Sequence, residues 1–138
     1  MSETAKIHQI VYASRFPPSV GASEIQAILE KSRINNERNG VTGILLCRAS
    51  HFLQLLEGER FNTAYTFKKI RDDQRHDRIQ LIMDQTAEHR LFERWSLGYR
   101  EVESCSPELS LLVRDVVEAR KQLPAQELLS LLQQFNHV

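Results

Sequence analysis

Residue types that mark several specialised protein classes are scarce in this chain of 138 residues. Its two cysteines, Cys47 and Cys105, lie far apart and have no companions at metal spacing. A disulfide scaffold or a cysteine zinc site is therefore not indicated, and Cys47 is interpreted as a buried free thiol in a reducing compartment. The five glycines stand singly, so there is no glycine-rich phosphate loop. Nor is there a local motif for a Ser/His/Asp or Cys/His catalytic site.

Charge of one sign and long apolar runs are also lacking. The 18 basic residues equal the 18 acidic ones, so neither the basic face of a nucleic-acid-binding protein nor a polybasic lipid-binding patch is visible. No stretch approaches the roughly 20 apolar residues of a membrane span, and the first residues lack the apolar core of a signal peptide. We therefore expect one compact cytoplasmic domain that binds neither nucleic acid directly nor a membrane.

The chain alternates between short strand-like runs and helical stripes of apolar residues. A first helix is predicted to begin at the capping-box pair Ser23 and Gln26 and to end at Asn39 and Gly40. A second helix is predicted over 63–73, and strands over 7–14, 41–48, 51–57, 78–84 and 95–101. This order, βαββαββ, predicts an α+β fold with a ferredoxin-like sheet and two helices on one face.

Two amphipathic helices are predicted after the last strand. The first begins at Ser106, an N-cap followed by proline, and Pro124 separates it from the second. Their apolar stripes are Leu109, Leu112, Val113, Val116 and Val117 in the first, and Leu128, Leu131, Leu132 and Phe135 in the second. We expect both helices, within a C-terminal extension 104–138, to pack on the other face of the sheet as part of the same domain.

Three polar residues stand where apolar ones are expected. Gln54 lies between Phe52 and Leu56 on one strand face, Tyr12 occupies the first strand, and Asn36 continues the apolar stripe of the first helix. A buried amide without partners costs roughly 1–3 kcal/mol. Taken singly, each residue also has a purely structural explanation, such as a rim tyrosine or an asparagine that ends a helix.

The combination of these residues resembles the BLUF family, sensors of blue light using FAD, over residues 6–99. Five ordered motifs carry the resemblance: IVYAS at 10–14, SRINNERNGVTG at 32–43, FLQLLEG at 52–58, DQRH at 73–76 and RLFERWS at 90–96. The resemblance implies that residues 1–103 form a flavin-binding photosensory domain of the short single-domain type. It implies bound FAD, although FMN or riboflavin would also satisfy such a pocket.

The resemblance also implies where the flavin lies. The ring is expected between the two helices, with Ile28 and Ile70 on its faces and Asn36 at its imide edge, where an amide supplies both a donor and an acceptor. The remaining residues expected to line the ring or its ribityl-phosphate tail are Tyr12, Ser32, Asn35, Phe52, Gln54, Lys69, Asp73, Arg75 and His76.

In the family, a tyrosine gives an electron and a proton to excited flavin, and a glutamine then reverses its hydrogen bonding. Tyr12 and Gln54 match this pair, so a small reversible red shift of absorbance is expected. Trp95 is a candidate competing electron donor or simply a core aromatic residue. The family's Trp-Ser-Met relay reads Trp95, Ser96 and Leu97 here. Leucine fills the volume of methionine without its sulfur, which places the lit-state lifetime and the output in question.

The expected output is protein–protein interaction rather than turnover. The resemblance to short members of the family implies a homo-oligomer and a separate partner, such as a response-regulator-like or second-messenger protein. Two other interpretations remain open at this point. One is a small ferredoxin-like enzyme acting on acyl phosphates, with Arg75 and Asn36 as ligands; the other is an interaction module that has lost its flavin.

Overall fold

The computed structural model describes residues 6–16, 21–73, 77–93 and 97–135. Five strands form one sheet in the order β4-β1-β3-β2-β5. All neighbours are antiparallel except β2 and β5, which run parallel. The strands are β1 (Ile7–Arg15), β2 (Thr42–Arg48), β3 (His51–Gly58), β4 (Asp77–Ala87) and β5 (Gly98–Glu101). The helices are α1 (Ala22–Arg38), α2 (Arg60–Arg71), α3 (Pro107–Val117) and α4 (Ala125–Gln134). The α+β, ferredoxin-like prediction is confirmed.

The period-two alternation of the strands separates the two faces of the sheet. On one face, Val11, Ile44 and Leu55 belong to a single continuous core with the apolar stripes of α3 and α4. On the other face, Ile28 of α1 packs with Leu45 and Phe52, and Phe67 of α2 packs with Tyr12 and Leu56. The predicted arrangement, with α1 and α2 on one face and α3 and α4 on the other, is therefore confirmed.

Helix α1 begins near Ser23 as predicted, but its predicted cap and the predicted start of α2 are wrong. The capping box at Ser23 does not form, because α1 begins at Ala22 with Gly21 as its N-cap and no side-chain cap. Helix α2 begins at Arg60, three residues earlier than predicted. Its cap is the carboxylate of Glu59, which accepts hydrogen bonds from the amides of Phe61 and Asn62, both at 3.1 Å. Glutamate is not among the preferred N-cap residues, so the sequence pattern did not predict a cap at Glu59.

In the C-terminal half, the predicted N-cap at Ser106 is confirmed, since its side chain accepts from the amide of Leu109. Leu112 does not belong to the buried stripe as predicted and is 42% exposed. Ser110 faces inward instead, because its hydroxyl accepts a hydrogen bond of 3.3 Å from Nε of Arg48 on β2. Strand β4 extends to Ala87, three residues beyond its predicted end. Of the predicted strand 95–101, residues 95 and 96 lie outside the described part of the chain.

In the described part of the chain, no helix combines the length and apolar character needed to cross a bilayer.

Candidate functional site

The strands β1 and β3 bring Tyr12 and Gln54 together. The two residues are register partners in the antiparallel ladder, and both are buried, with exposed fractions of 1% and 4%. The hydroxyl of Tyr12 donates a hydrogen bond to Oε1 of Gln54. An antiparallel partner on the same face is the closest neighbour that a strand side chain has, so the pairing follows directly from the strand register.

Burial sets the protonation state of Tyr12. Its ring lies 5.3 Å from that of Phe67, centroid to centroid, within the apolar group beneath α2. Removal from water disfavours the phenolate and raises the pKa of Tyr12 well above its usual value of 10.0. The side chain is therefore a neutral phenol with a proton to give throughout the physiological pH range.

The core on this face of the sheet is split into two apolar groups, unlike the continuous core on the other face. The α1 group is Phe16, Ile28, Leu29, Leu45, Cys47, Phe52 and Leu97; the α2 group is Ile10, Tyr12, Val41, Leu56 and Phe67, with Ile70 at its edge. On β3, Gln54 lies between Phe52 of one group and Leu56 of the other. Helices α1 and α2 make few close backbone approaches to each other. The division between the groups is thus marked by a buried amide.

Asn36 lies in the last turn of α1 and is 2% exposed. Its backbone carbonyl accepts a hydrogen bond of 2.8 Å from the amide of Val41, and between them Gly40 reverses the chain at φ 65°. A left-handed backbone of this kind favours glycine. The turn therefore fixes the backbone of Asn36 against the start of β2. Asn35 and Ser32 on the same helix are half-buried.

The residues of this face fit a flavin by their chemistry. Two helices present branched apolar side chains, buried Ile28 and half-buried Ile70, as the flat faces of an aromatic ring require. Asn36 and Gln54 are amides with both a donor and an acceptor, which is the complement of an imide edge. Both amides are buried, and a buried polar side chain needs hydrogen-bond partners, which a flavin would supply.

The predicted tail-binding residues are only partly placed. Lys69 is exposed with its Nζ 5.4 Å from the centroid of the Tyr65 ring, and Asp73 is half-buried after the end of α2. Arg75 and His76 lie outside the described residues. In the predicted relay, Trp95 and Ser96 also lie outside them, while Leu97 is buried, 4% exposed, in the α1 group.

Sequence reasoning missed two contacts at this face. Nε of Arg33 on α1 donates to the carbonyl oxygen of Leu97 at 3.1 Å, joining the helix of Ser32 and Asn36 to the segment before β5. The side chains of Cys47 and Tyr99 interact across β2 and β5, and burial raises the pKa of both groups. The second contact follows from the parallel pairing of β2 with β5, which local sequence patterns do not reveal.

Comparison with known proteins identifies the family to which this fold belongs. The sequence pattern of the family described as "BLUF: Sensors of blue-light using FAD" matches residues 7–98, which include Tyr12, Asn36 and Gln54. The chain belongs to the BLUF family. BLUF domains bind flavin, so flavin is the cofactor of this chain.

Individual BLUF proteins show the same relationship. The chain is 31% identical over 83 residues to the blue light- and temperature-regulated antirepressor BluF of Escherichia coli K12, covering 60% of this chain and 21% of that protein. It is 26% identical over 94 residues to the alpha subunit of the photoactivated adenylate cyclase of Euglena gracilis, covering 67% and 9%. The dark-state structure of the BLUF protein BlrB superposes with a TM-score of 0.78 at 27% identity, covering 96% of this chain and 99% of BlrB.

The chain spans about a fifth or less of the length of these two curated relatives, since they carry further sequence beyond the matched region.

Proposed function

We propose that this BLUF domain senses blue light by rearranging the hydrogen bond between Tyr12 and Gln54. The observation that carries the proposal is that hydrogen bond itself, which joins a buried neutral phenol to a buried amide beside the divided core. Asn36, Ile28 and Ile70 would hold the flavin ring, with Ser32, Asn35, Phe52, Lys69, Asp73, Arg75 and His76 around it. When bound, the flavin supplies absorption of blue light and an acceptor for one electron.

The chemistry of the pair then follows from its geometry. Tyr12 loses an electron and becomes a far stronger acid, so its phenolic proton leaves along the hydrogen bond to Oε1 of Gln54. The amide of Gln54 reverses its donor and acceptor ends, by rotation or by tautomerisation. Return of the electron and the proton restores a neutral phenol facing a changed amide. Rotation leaves every covalent bond intact, and tautomerisation exchanges one N–H bond of the amide for one O–H bond. In either case the product is an altered hydrogen-bond network rather than a released compound.

Absorbance of the purified protein tests this proposal. The protein should be yellow, and blue light should produce a small red shift of the flavin band that reverses in the dark. Tyr12→Phe should keep the flavin and lose the shift, because phenylalanine has no proton to give. Tyr99→Phe is the matched control, since it removes a hydroxyl from the same face of the sheet and should keep the shift. A full red shift in Tyr12→Phe would refute the proposed roles of the pair.

We further propose that the output is interaction with another protein. Two relatives support it by name: one is an antirepressor and the other a subunit of a photoactivated cyclase, so light sensing is connected to effectors in both. A response-regulator-like or second-messenger protein is the expected partner, and a homo-oligomer the expected assembly. Size-exclusion chromatography of the protein in darkness and under blue light tests the assembly. An elution volume for a monomer under both conditions would reject the homo-oligomer.

A further inference from the structure

Glu57 is a fully buried carboxylate, 0% exposed, at the end of β3. Its two oxygens accept hydrogen bonds from the amides of Leu91, at 2.8 and 3.0 Å, and Phe92, at 2.9 Å. They also accept from Nε2 of Gln9 at 2.8 Å, and Gln9 in turn accepts from Gln85 at 3.0 Å. A buried charge is costly unless it is fully hydrogen-bonded, and this one has donors on both oxygens. Its donors come from β1 and from the connection between β4 and β5.

Those amides belong to the described segment 88–93, which follows β4 in the chain. Apolar packing alone can bury such a segment but does not fix its position along the sheet, because dispersion contacts are not directional. Two charge-assisted hydrogen bonds to consecutive amides do fix it. Glu57 therefore holds the beginning of this segment to the strand that carries Gln54, three residues earlier and on the opposite face.

Arg90 joins the same segment to the flavin-side turn. Its Nη1 donates to Oγ1 of Thr42 at 2.9 Å and to the backbone carbonyl of Glu57 at 3.1 Å, and its Nη2 donates to the carbonyl of Gly40 at 2.9 Å. Gly40 belongs to the turn whose Val41 amide is bonded to the carbonyl of Asn36. One guanidinium thus ties together the helix end at Asn36, the strand of Gln54 and the segment 88–93.

We propose that Arg90 and Glu57 are positioning residues that couple the flavin site to the segment 88–93. This inference rests on the proposed function, because it assigns them to the transmission of the change that begins at Gln54. A shift of β3 or of the turn at Gly40 lengthens the bonds that these two residues make. Release of the Leu91 and Phe92 amides is then the first movement of the output, and it biases the segment between two positions.

Amide hydrogen exchange of the flavin-loaded protein measures this release directly. The Leu91 and Phe92 amides should exchange slowly in the dark and roughly 5- to 150-fold faster under continuous blue light, the range typical of coupling between sites. Tyr12→Phe should remove the difference. Equal exchange at both amides in dark and light, in protein that still shows the red shift, would overturn the coupling while leaving the proposed function intact.

Arg90→Gln tests the arginine separately. The variant should stay yellow and keep the Tyr12-dependent red shift. Its dark-recovery rate should change several-fold, and its light-dependent exchange at Leu91 and Phe92 should be lost. Arg90→Lys should restore little, since a lysine does not present the forked donors that reach three acceptors. Arg114→Gln removes an exposed arginine from α3 and serves as the control of equal charge change.

Arg90 does not position the site if dark recovery and amide exchange in Arg90→Gln match those of the wild type and of Arg114→Gln. A wild-type protein without any red shift would reject the proposed function itself, and the coupling with it.

Discussion

The hydroxyl of Tyr12 on β1 donates a hydrogen bond to Oε1 of Gln54, its register partner on β3. The acceptor end of the amide is thereby engaged by the tyrosine, and we propose that the donor end meets a bound flavin. A carboxylate in place of Gln54 lacks the donor when ionised, and an apolar residue lacks both ends. The same bond also gives the buried hydroxyl of Tyr12 a route by which its proton can leave.

The buried phenol of Tyr12 makes stability depend on pH in the alkaline range. Its pKa is raised by burial, so the folded protein keeps a proton that the unfolded chain loses above about pH 10. The stability contribution is present below pH 10 and is lost as pH rises, by up to about 1.4 kcal/mol per pH unit. Denaturant unfolding at several values between about pH 9 and 11 should therefore show a steeper decline for the wild type than for Tyr12→Phe. Parallel curves would contradict a buried neutral phenol.

Asn36 should carry most of the affinity for the flavin ring. Asn36→Ala removes the buried amide that we propose bonds the imide edge. Loss of such bonds costs roughly 1–3 kcal/mol, or about 5- to 150-fold in Kd. Flavin released on dilution, followed by fluorescence, measures the change. Asn35→Ala is the matched control at the neighbouring, half-buried position, and it should weaken binding far less. Equal effects of the two substitutions would show that Asn36 is not the principal ligand.

The succession of strands and helices and the face of β3 that carries Gln54 were predictable from the sequence. Period-two alternation places Phe52, Gln54 and Leu56 on one face whatever the neighbouring strands are. The register that sets Tyr12 opposite Gln54 is visible only in the folded sheet. The link between Glu57 and Leu91 was not predictable, because it joins residues 34 positions apart through backbone amides. Almost every residue has a backbone amide, so the sequence does not indicate which amides Glu57 binds. Only the folded chain shows them.

The error at Leu112 has a different origin. Helical spacing places both Leu112 and Ser110 near the buried stripe of α3, and hydrophobicity favours the leucine. The choice is made by Arg48 on β2, whose Nε reaches the hydroxyl of Ser110 and whose Nη1 reaches the carboxylate of Glu118. A tertiary polar contact thus determines which side of the helix faces the sheet.

Leu97 should affect the lifetime of the lit state rather than the photochemistry. It is buried in the α1 group, and its carbonyl is held by Arg33. Leu97→Met conserves volume, so its effect on stability should stay below about 1.5 kcal/mol. The sulfur adds a weak acceptor and a flexible side chain to the α1 group, which also contains Phe52 of β3. We expect an unchanged red shift with slower dark recovery, measured by absorbance after a light pulse. Recovery at the wild-type rate would show that the side chain at 97 is not part of the relay.

The helices α3 and α4 should unfold together with the photosensory sheet. Leu132 is fully buried in the core that α4 shares with Val11, Ile44 and Leu55, so Leu132→Ala should lower the free energy of unfolding by roughly 2–5 kcal/mol. If the extension and the sheet are one domain, flavin release and loss of helical circular dichroism should still coincide, at a lower denaturant concentration. Leu112→Ala, at an exposed position on α3, should change stability by less than about 0.5 kcal/mol. Two separate transitions in the wild type would instead make the extension an independent unit, whose packing on the sheet is not needed to hold the flavin.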